Sequence, residues 1–174
     1  MSGAVVVMGV AGSGKSTLAR ALAERLGWQF VEGDALHPPE NIGKMRAGIA
    51  LQDADREPFL RAVAGAINAG CASGVVASCS ALRRTYRSFI AGLVRDVRFV
   101  LPIADRDTLR VRLKQRSDHF MPVALLDSQL ATLELPDPDE RAVVVDGTAP
   151  TDVQVEAVMT ALGLTGVAES KTTR

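Results

Sequence analysis

The sequence predicts one α/β domain whose parallel sheet is sandwiched between helices. Three observations predict it. Short apolar runs alternate with helix-period stretches almost from end to end, the pattern of repeated strand–helix–strand crossovers. A glycine-rich phosphate-loop motif follows directly on the first apolar run. At 174 residues, 47% apolar and 23% charged, the chain has the size and composition of one ordinary globular domain with its own core.

The elements follow in order. Residues 4–8, Ala-Val-Val-Val-Met, form a strand-length run dominated by branched side chains, which suits a strand buried on both faces. After the glycine-rich segment, Leu18, Leu22 and Leu26 recur every fourth residue beside Ala19 and Ala23, the stripe of an amphipathic helix. A second strand is expected over residues 28–31, and residues 38–52 insert extra helical turns behind it. A helix over residues 55–69 has Asp55 as its candidate cap, with Pro58 three positions later. Then come a strand over 75–79, a helix over 83–94, a strand over 97–101, helices over 107–116 and 122–133, a strand over 142–145 and a helix over 151–162. The polar stretch 117–122 interrupts the two late helices. Residues 165–174 are polar and unpatterned, and a frayed tail is expected there. This gives five parallel strands in one domain over residues 1–164, with a substrate-binding insertion at about 35–70 and a lid at about 112–130.

Composition excludes several classes. Twenty basic and twenty acidic side chains leave a formal charge of zero, and only five Phe, one Trp and one Tyr occur, so neither a basic nucleic-acid binder nor a base-stacking surface is expected. No apolar run is long enough to cross a bilayer, and the run at the N-terminus lacks the basic flank of a signal peptide. Cys71 and Cys79, without a second pair and with only two histidines, suggest reduced thiols and not a disulfide framework or a zinc site. The cytoplasm is the expected compartment.

The strongest chemical signal is Gly9-Val10-Ala11-Gly12-Ser13-Gly14-Lys15-Ser16, which fits G-x-x-x-x-G-K-[ST], the P-loop of nucleoside-triphosphate enzymes. Glycines let successive backbone N–H groups turn into one concavity, and the helix N-terminus adds partial positive charge to it. Lys15 reaches the β- and γ-phosphates of ATP, and the Ser16 hydroxyl is the candidate Mg²⁺ ligand. A dinucleotide-binding reading fails because Thr17 stands where a third Gly or Ala belongs. A GTPase reading lacks an Asn-Lys-x-Asp guanine motif. Phosphate transfer to a small molecule is the leading class.

On the acceptor side, Asp34 lies at the carboxyl end of the second strand, where a carboxylate orients and deprotonates an attacking hydroxyl or else serves only as a turn residue. His37 either hydrogen-bonds a substrate or packs ahead of Pro38. Lys44 and Arg56 are candidates for holding an anionic substrate, the alternative being solvated surface charge. The segment Cys79-Ser80-Ala81-Leu82-Arg83-Arg84-Thr85-Tyr86-Arg87 places Arg83 and Arg87 on one helix face, and Tyr86 could add a hydroxyl. Arg112 and Arg116 flank the apolar stripe of their helix, which suits a lid that closes over ATP, with an arginine plane against the adenine. Asp146, at the end of a strand of three valines, is expected to cap the Gly147 turn.

Taken in order, the stretches MGVAGSGKST, GDALHPPENIGKM, LQDADREPFL, CSALRRTYR, RLKQRSDHFMP and LLDSQLATLELP make the sequence similar to the gluconokinases, over residues 8 to about 136. The resemblance implies a fold like that of the nucleoside-monophosphate kinases, with ATP, Mg²⁺ and D-gluconate as ligands and a homodimer as the assembly. The implied reaction is phosphorylation of the 6-hydroxyl of gluconate. Carried over, residues 12–17 with Gly9 bind phosphate, and Asp34, Lys15 and Arg116 are catalytic. His37, Lys44, Arg56, Ser80, Arg83, Tyr86, Arg87 and His119 surround the sugar acid, and Arg112, Arg116 and His119 belong to the lid. The chain departs from the family pattern at residues 48–51, Gly-Ile-Ala-Leu for Gly-x-Pro-Leu, and at Phe59 for Trp, Arg83 for Lys and Glu32 for Asp. The alternatives are a kinase of another small anionic alcohol such as shikimate, and a nucleotide-binding regulator without turnover.

Overall fold

A computed structural model describes residues 3–115 and 123–166. The chain runs β1 (Ala4–Val7), α1 (Lys15–Leu26), β2 (Gln29–Glu32), a 3-10 turn (Gly33–Leu36), α2 (Pro39–Arg46) and α3 (Asp53–Gly70). It continues through β3 (Val75–Ser78), α4 (Arg84–Leu93), β4 (Val97–Ile103), α5 (Arg106–Lys114), α6 (Ala124–Thr132), β5 (Ala142–Asp146) and α7 (Thr151–Leu162). The five strands form one parallel sheet in the order β2-β3-β1-β4-β5, as the β-α rhythm predicts.

The central strand shows why. Every residue of β1 is fully buried, and its side chains alternate between the two faces. Ala4, Val6 and Met8 pack with Phe59, Val63 and Ile67 of α3 and Ile90 of α4. Val5 and Val7 pack on the other face with Leu18 and Leu22 of α1 and Val155 and Val158 of α7. A third cluster, with Val10 and Ala11 of the phosphate loop against Leu109 and Leu113 of α5 and Leu126 of α6, supports the loop from outside the sheet. The backbone N–H of Ala11 donates to Gln129 Oε1 of α6 at 2.7 Å, a second tie to that layer.

Several expected boundaries shift for physical reasons. Trp28 lies just past the C-cap of α1 and not in β2, because Gly27 adopts the left-handed conformation and the Trp28 N–H returns to the Ala23 carbonyl. The fourth strand continues through Pro102 to Ile103, since β1 ends its ladder at Val100 and only β5 flanks the strand beyond it. The helix after the insertion begins at Asp53 and not Asp55. Gln52 is its N-cap, and Asp55 is the third helical residue, whose carboxylate accepts the Gln52 N–H in a capping box. The helix expected to reach residue 116 ends at Lys114, with Gln115 at its C-cap; the next begins at Ala124, and residue 122 lies outside the described residues.

The carboxyl ends of β1, β2 and β3 open on one edge of the sheet, and every central site residue hangs from that edge. Gly33 makes this crowding possible: a Cβ there would stand 1.9 Å from the Ser78 carbonyl oxygen. No helix among the described residues is long and apolar enough to cross a membrane. Both cysteines are free thiols, and Cys79 is fully buried just after β3, which pushes its thiol up to about 12. No group of His, Cys, Asp and Glu among the described residues is arranged to hold a metal by itself.

Candidate active site

The phosphate loop follows from its sequence. Gly9, Gly12 and Gly14 all have positive φ, which side-chain-bearing residues rarely adopt, and Gly14 is the N-cap of α1 without any side-chain capping bond. No acidic residue stands in the first turn of α1, so its open N–H groups face a place that favours an anion. The loop entrance is fixed by the Gly9 N–H donating to the Ser80 carbonyl at 3.1 Å. Lys15 is buried without an ion pair among the described residues, and the Ser13 hydroxyl is buried with no hydrogen-bond partner there. A buried lysine and an orphaned hydroxyl beside open backbone donors are what a bound phosphate chain would satisfy. The residues present fit ATP.

They also fit a magnesium ion. The Ser16 hydroxyl donates to Glu32 Oε1 at 3.1 Å, the Ser78 hydroxyl donates to the same oxygen, and the Gly33 N–H donates to Ser78 Oγ at 3.1 Å. A hydroxyl and a fixed carboxylate next to the phosphate loop are hard oxygen donors of the type Mg²⁺ takes. Sequence reasoning noted Glu32 only as a charge-preserving replacement. Its signal was its place two residues before Asp34 at the end of a strand, but its contact with Ser16 depends on the order β2-β3-β1.

Next to the loop lies a pocket lined by Lys15, Asp34, His37, Arg56 and Ser80 from the expected set, with Met45, Leu51, Phe59 and Leu82 as its apolar wall. Ser128, Gln129 and Thr132 of α6 complete it, residues that sequence reasoning did not single out. Asp34 belongs to the 3-10 turn after β2 and so faces the same pocket as Lys15. His37 stacks on Phe59 with ring centres 3.7 Å apart and planes within 7°. Burial holds its pKa down to about 4; Asp34 opposes this, while Arg56 and Lys15 add to it. The imidazole is therefore neutral near pH 7, a hydrogen-bonding group and not a cation. Asn41 Nδ2, oriented by donating to the Asp55 carbonyl at 2.8 Å, lies 3.4 Å from His37 Nδ1.

The expected substrate cations each meet an internal carboxylate. Lys44 Nζ contacts Asp55 Oδ1 at 2.6 Å, and that hydrogen bond, with one from the Gln52 backbone, holds the Asp55 carboxyl below the usual range. Arg56 donates to the Tyr86 hydroxyl oxygen at 3.1 Å, and the Tyr86 hydroxyl donates to Asp53. Arg83 lies 3.5 Å from the same carboxylate. Burial, with the bond to Asp53, pushes the Tyr86 hydroxyl up, so it stays protonated.

Arg87 departs from expectation. Like Lys44, Arg83 and Tyr86 it does not line the pocket; it is 1% exposed, its Nε and Nη2 donate to the two oxygens of Glu140, and Nη1 donates to the carbonyls of Ala81, Leu82 and Glu134. That guanidinium is fully engaged and ties the segment after β3 to the segment before β5. Of Arg83, Arg84 and Arg87, only Arg83, the N-cap of α4, points toward the Arg56–Tyr86 group.

On the outer side of the loop, Arg112 donates to the Gly12 carbonyl at 3.4 Å and the Gly147 carbonyl at 2.9 Å. It lines an open pocket with Gly12, Gly14, Thr17, Gly147 and Gln154. Asp146 accepts the Thr148 N–H and hydroxyl, closing the Gly147 turn as its sequence position predicts. Arg116 and His119 lie outside the described residues.

Comparison with known proteins shows the family and the fold. A family model described as an AAA domain matches residues 5–136. The gluconokinase of Gluconobacter oxydans (strain 621H) is 47% identical over 159 residues, 89% of this chain and 88% of that protein. The crystal structure of a gluconokinase from Sinorhizobium meliloti 1021 superposes with a TM-score of 0.83 at 44% identity, covering 92% of this chain and 91% of that one. A shikimate kinase from Bacteroides thetaiotaomicron shares the fold, with a TM-score of 0.69, 94% of this chain and 100% of that one covered, but only 17% identity.

Proposed function

This chain belongs to the gluconokinases and is an ATP-dependent gluconate kinase, and from that premise we propose how its residues divide the work. The observation that carries the proposal is the single pocket shared by Lys15 of the phosphate loop and Asp34, His37, Arg56 and Ser80 of the acceptor side.

Gluconate lies in that pocket with its 6-hydroxyl toward Asp34 and its carboxylate toward Arg56, Arg83 and Tyr86. His37 and Ser80 offer uncharged hydrogen bonds to the hydroxyls between. Asp34 takes the proton from the 6-hydroxyl as that oxygen bonds the γ-phosphorus of ATP. The bond from phosphorus to the bridging oxygen breaks, and ADP leaves. Lys15 and the N–H groups of residues 12–16 meet the negative charge that develops on the transferred group, in a site already organised for it. Ser16 and Glu32 would hold Mg²⁺, whose chemistry when bound is to offset phosphate charge.

Arg112 supports the base side. Lys44 stands at the outer rim of the sugar site; the lid expected from Arg116 and His119 lies outside the described residues. The proposal includes a homodimer, which the family resemblance supports, and a cytoplasmic location, in keeping with two free thiols; sedimentation of the purified chain tests the first.

The testing experiment is a coupled ADP-release assay with gluconate, other sugar acids, shikimate and nucleoside monophosphates as acceptors. The proposal expects turnover with gluconate, strict need for a divalent cation, and 6-phosphogluconate as the product by phosphorus NMR. Equal turnover with shikimate would remove the assigned roles of Arg56, Arg83 and Tyr86 as a site shaped for gluconate.

A further inference from the structure

Asp53 opens α3 with its side chain 68% exposed, yet three groups converge on its carboxylate. The Tyr86 hydroxyl donates to it, Arg83 Nη1 stands 3.5 Å away, and Arg56 Nη1 stands 3.7 Å away. The guanidinium carbons of Arg56 and Arg83 lie 5.3 and 5.9 Å from the centre of the Tyr86 ring, so the two cations and the phenol form one cluster. Two guanidiniums and a hydroxyl converging on one carboxylate make a carboxylate-recognition site. Arg56 also lines the pocket that holds Asp34 and Lys15.

We propose that Asp53 is an internal stand-in for the substrate carboxylate: in the free enzyme it occupies the acid-recognition cations, and gluconate binds by exchanging its own carboxylate for that of Asp53. This rests on the reading of Arg56, Arg83 and Tyr86 as the acid end of the gluconate pocket.

Two features make the contact exchangeable. The start of α3 is already capped by Gln52 and Asp55, so the Asp53 side chain is not needed to begin the helix. The arginine contacts of Asp53 are long and solvated, unlike the two-point Arg87–Glu140 pair. Exchange also favours an acid as substrate. A sugar with no carboxylate cannot replace Asp53 on the guanidiniums, whereas gluconate leaves every cation paired and releases Asp53 to water at a helix N-terminus, where its charge is favourable. Asp53 therefore lowers affinity for any ligand that must take its place on the guanidiniums, and leaves ATP at the phosphate loop unaffected.

Steady-state kinetics of the full chain test this, with Asp53→Asn, Asp53→Ala, Arg56→Met and Arg83→Met as variants and sulfate as a competing anion. Removing the Asp53 charge is expected to lower KM for gluconate about three- to fivefold, the size of an exposed ion pair. The kcat and the KM for ATP should stay within about twofold. Sulfate should inhibit both Asp53 variants more strongly than the wild type, competitively with gluconate. Arg56→Met should raise KM for gluconate by at least about tenfold, the size of a lost charge-assisted bond. If both arginine variants keep the wild-type KM, the acid end of the pocket is misplaced and the stand-in falls with it. If Arg56→Met raises KM while both Asp53 variants raise it too, or leave KM and sulfate inhibition unchanged, the pocket stands and the stand-in is overturned: Asp53 then orients the arginines for the substrate.

Discussion

The Ser16 hydroxyl and the Glu32 carboxylate meet at 3.1 Å across the gap between the phosphate loop and β2, with the Ser78 hydroxyl donating to the same carboxylate oxygen. The loop residue expected to touch the metal is thus already joined to a fixed acid. Glu32→Gln keeps the shape and removes the charge. The account expects a higher Mg²⁺ concentration for half-maximal rate and a kcat lowered by about tenfold or more, the scale of one lost electrostatic contact in a phosphoryl-transfer site. A Mg²⁺ titration of ADP release measures both.

Lys15 is buried at the start of α1 with no ion pair among the described residues, so its charge is available to phosphate. Lys15→Met should lower kcat by about a thousandfold, in the range of lost transition-state stabilisers, with the far-ultraviolet circular dichroism unchanged. An unfolded variant would show instead that the lysine stem supports the core.

Arg87 is buried and Glu140 is half-buried, and removing the guanidinium leaves that carboxylate without its cation and three carbonyls without their donor. Arg87→Met should cost about 3–5 kcal/mol of stability, read by urea unfolding. The hydrogen bonds from Arg87 hold the Glu140 carboxyl below the usual carboxylate range. Its folded pKa is thus below its unfolded value. The stability from this group is fully present above about pH 4.3 and is lost as pH falls through the folded pKa. Wild-type stability should therefore drop more steeply in that acid window than the stability of Glu140→Gln.

Burial against Phe59 keeps His37 neutral, with its pKa near 4. Proton NMR of the ring, in a chain with only two histidines, should show one imidazole titrating near pH 4. Its folded pKa lies below the unfolded value, so it favours the folded state most above about pH 6.5 and loses that contribution as pH falls toward 4. Loss of the His37 signal in His37→Gln assigns it. A midpoint between 6 and 7 contradicts the burial seen here.

The fold was largely legible because each strand is an apolar run and each helix carries its own period. Residues 9–16 announced the phosphate loop locally, and the position of Asp34 just past β2 was legible because the strand's pattern stops before it. What escaped depends on contacts between distant segments. Arg87 reads as a substrate cation on the same helix face as Arg83 until Glu140, 53 positions later, is placed beside it. Glu32 acquires its partner Ser16 only through the strand order. Asp53 becomes informative only when Arg56 and Arg83 are seen around it. The fourth strand is expected over 97–101, and its ladder with β5 carries it on through Pro102 to Ile103.

The central claim is that Asp34 accepts the proton of the 6-hydroxyl in the pocket it shares with Lys15. Asp34→Asn tests it most directly, with kcat from gluconate-dependent ADP release and ATP affinity from equilibrium binding. The account predicts a kcat lowered by about a hundredfold to ten-thousandfold, with ATP affinity within about twofold of wild type. A near-normal kcat in the folded variant would contradict it and leave Asp34 as a turn residue.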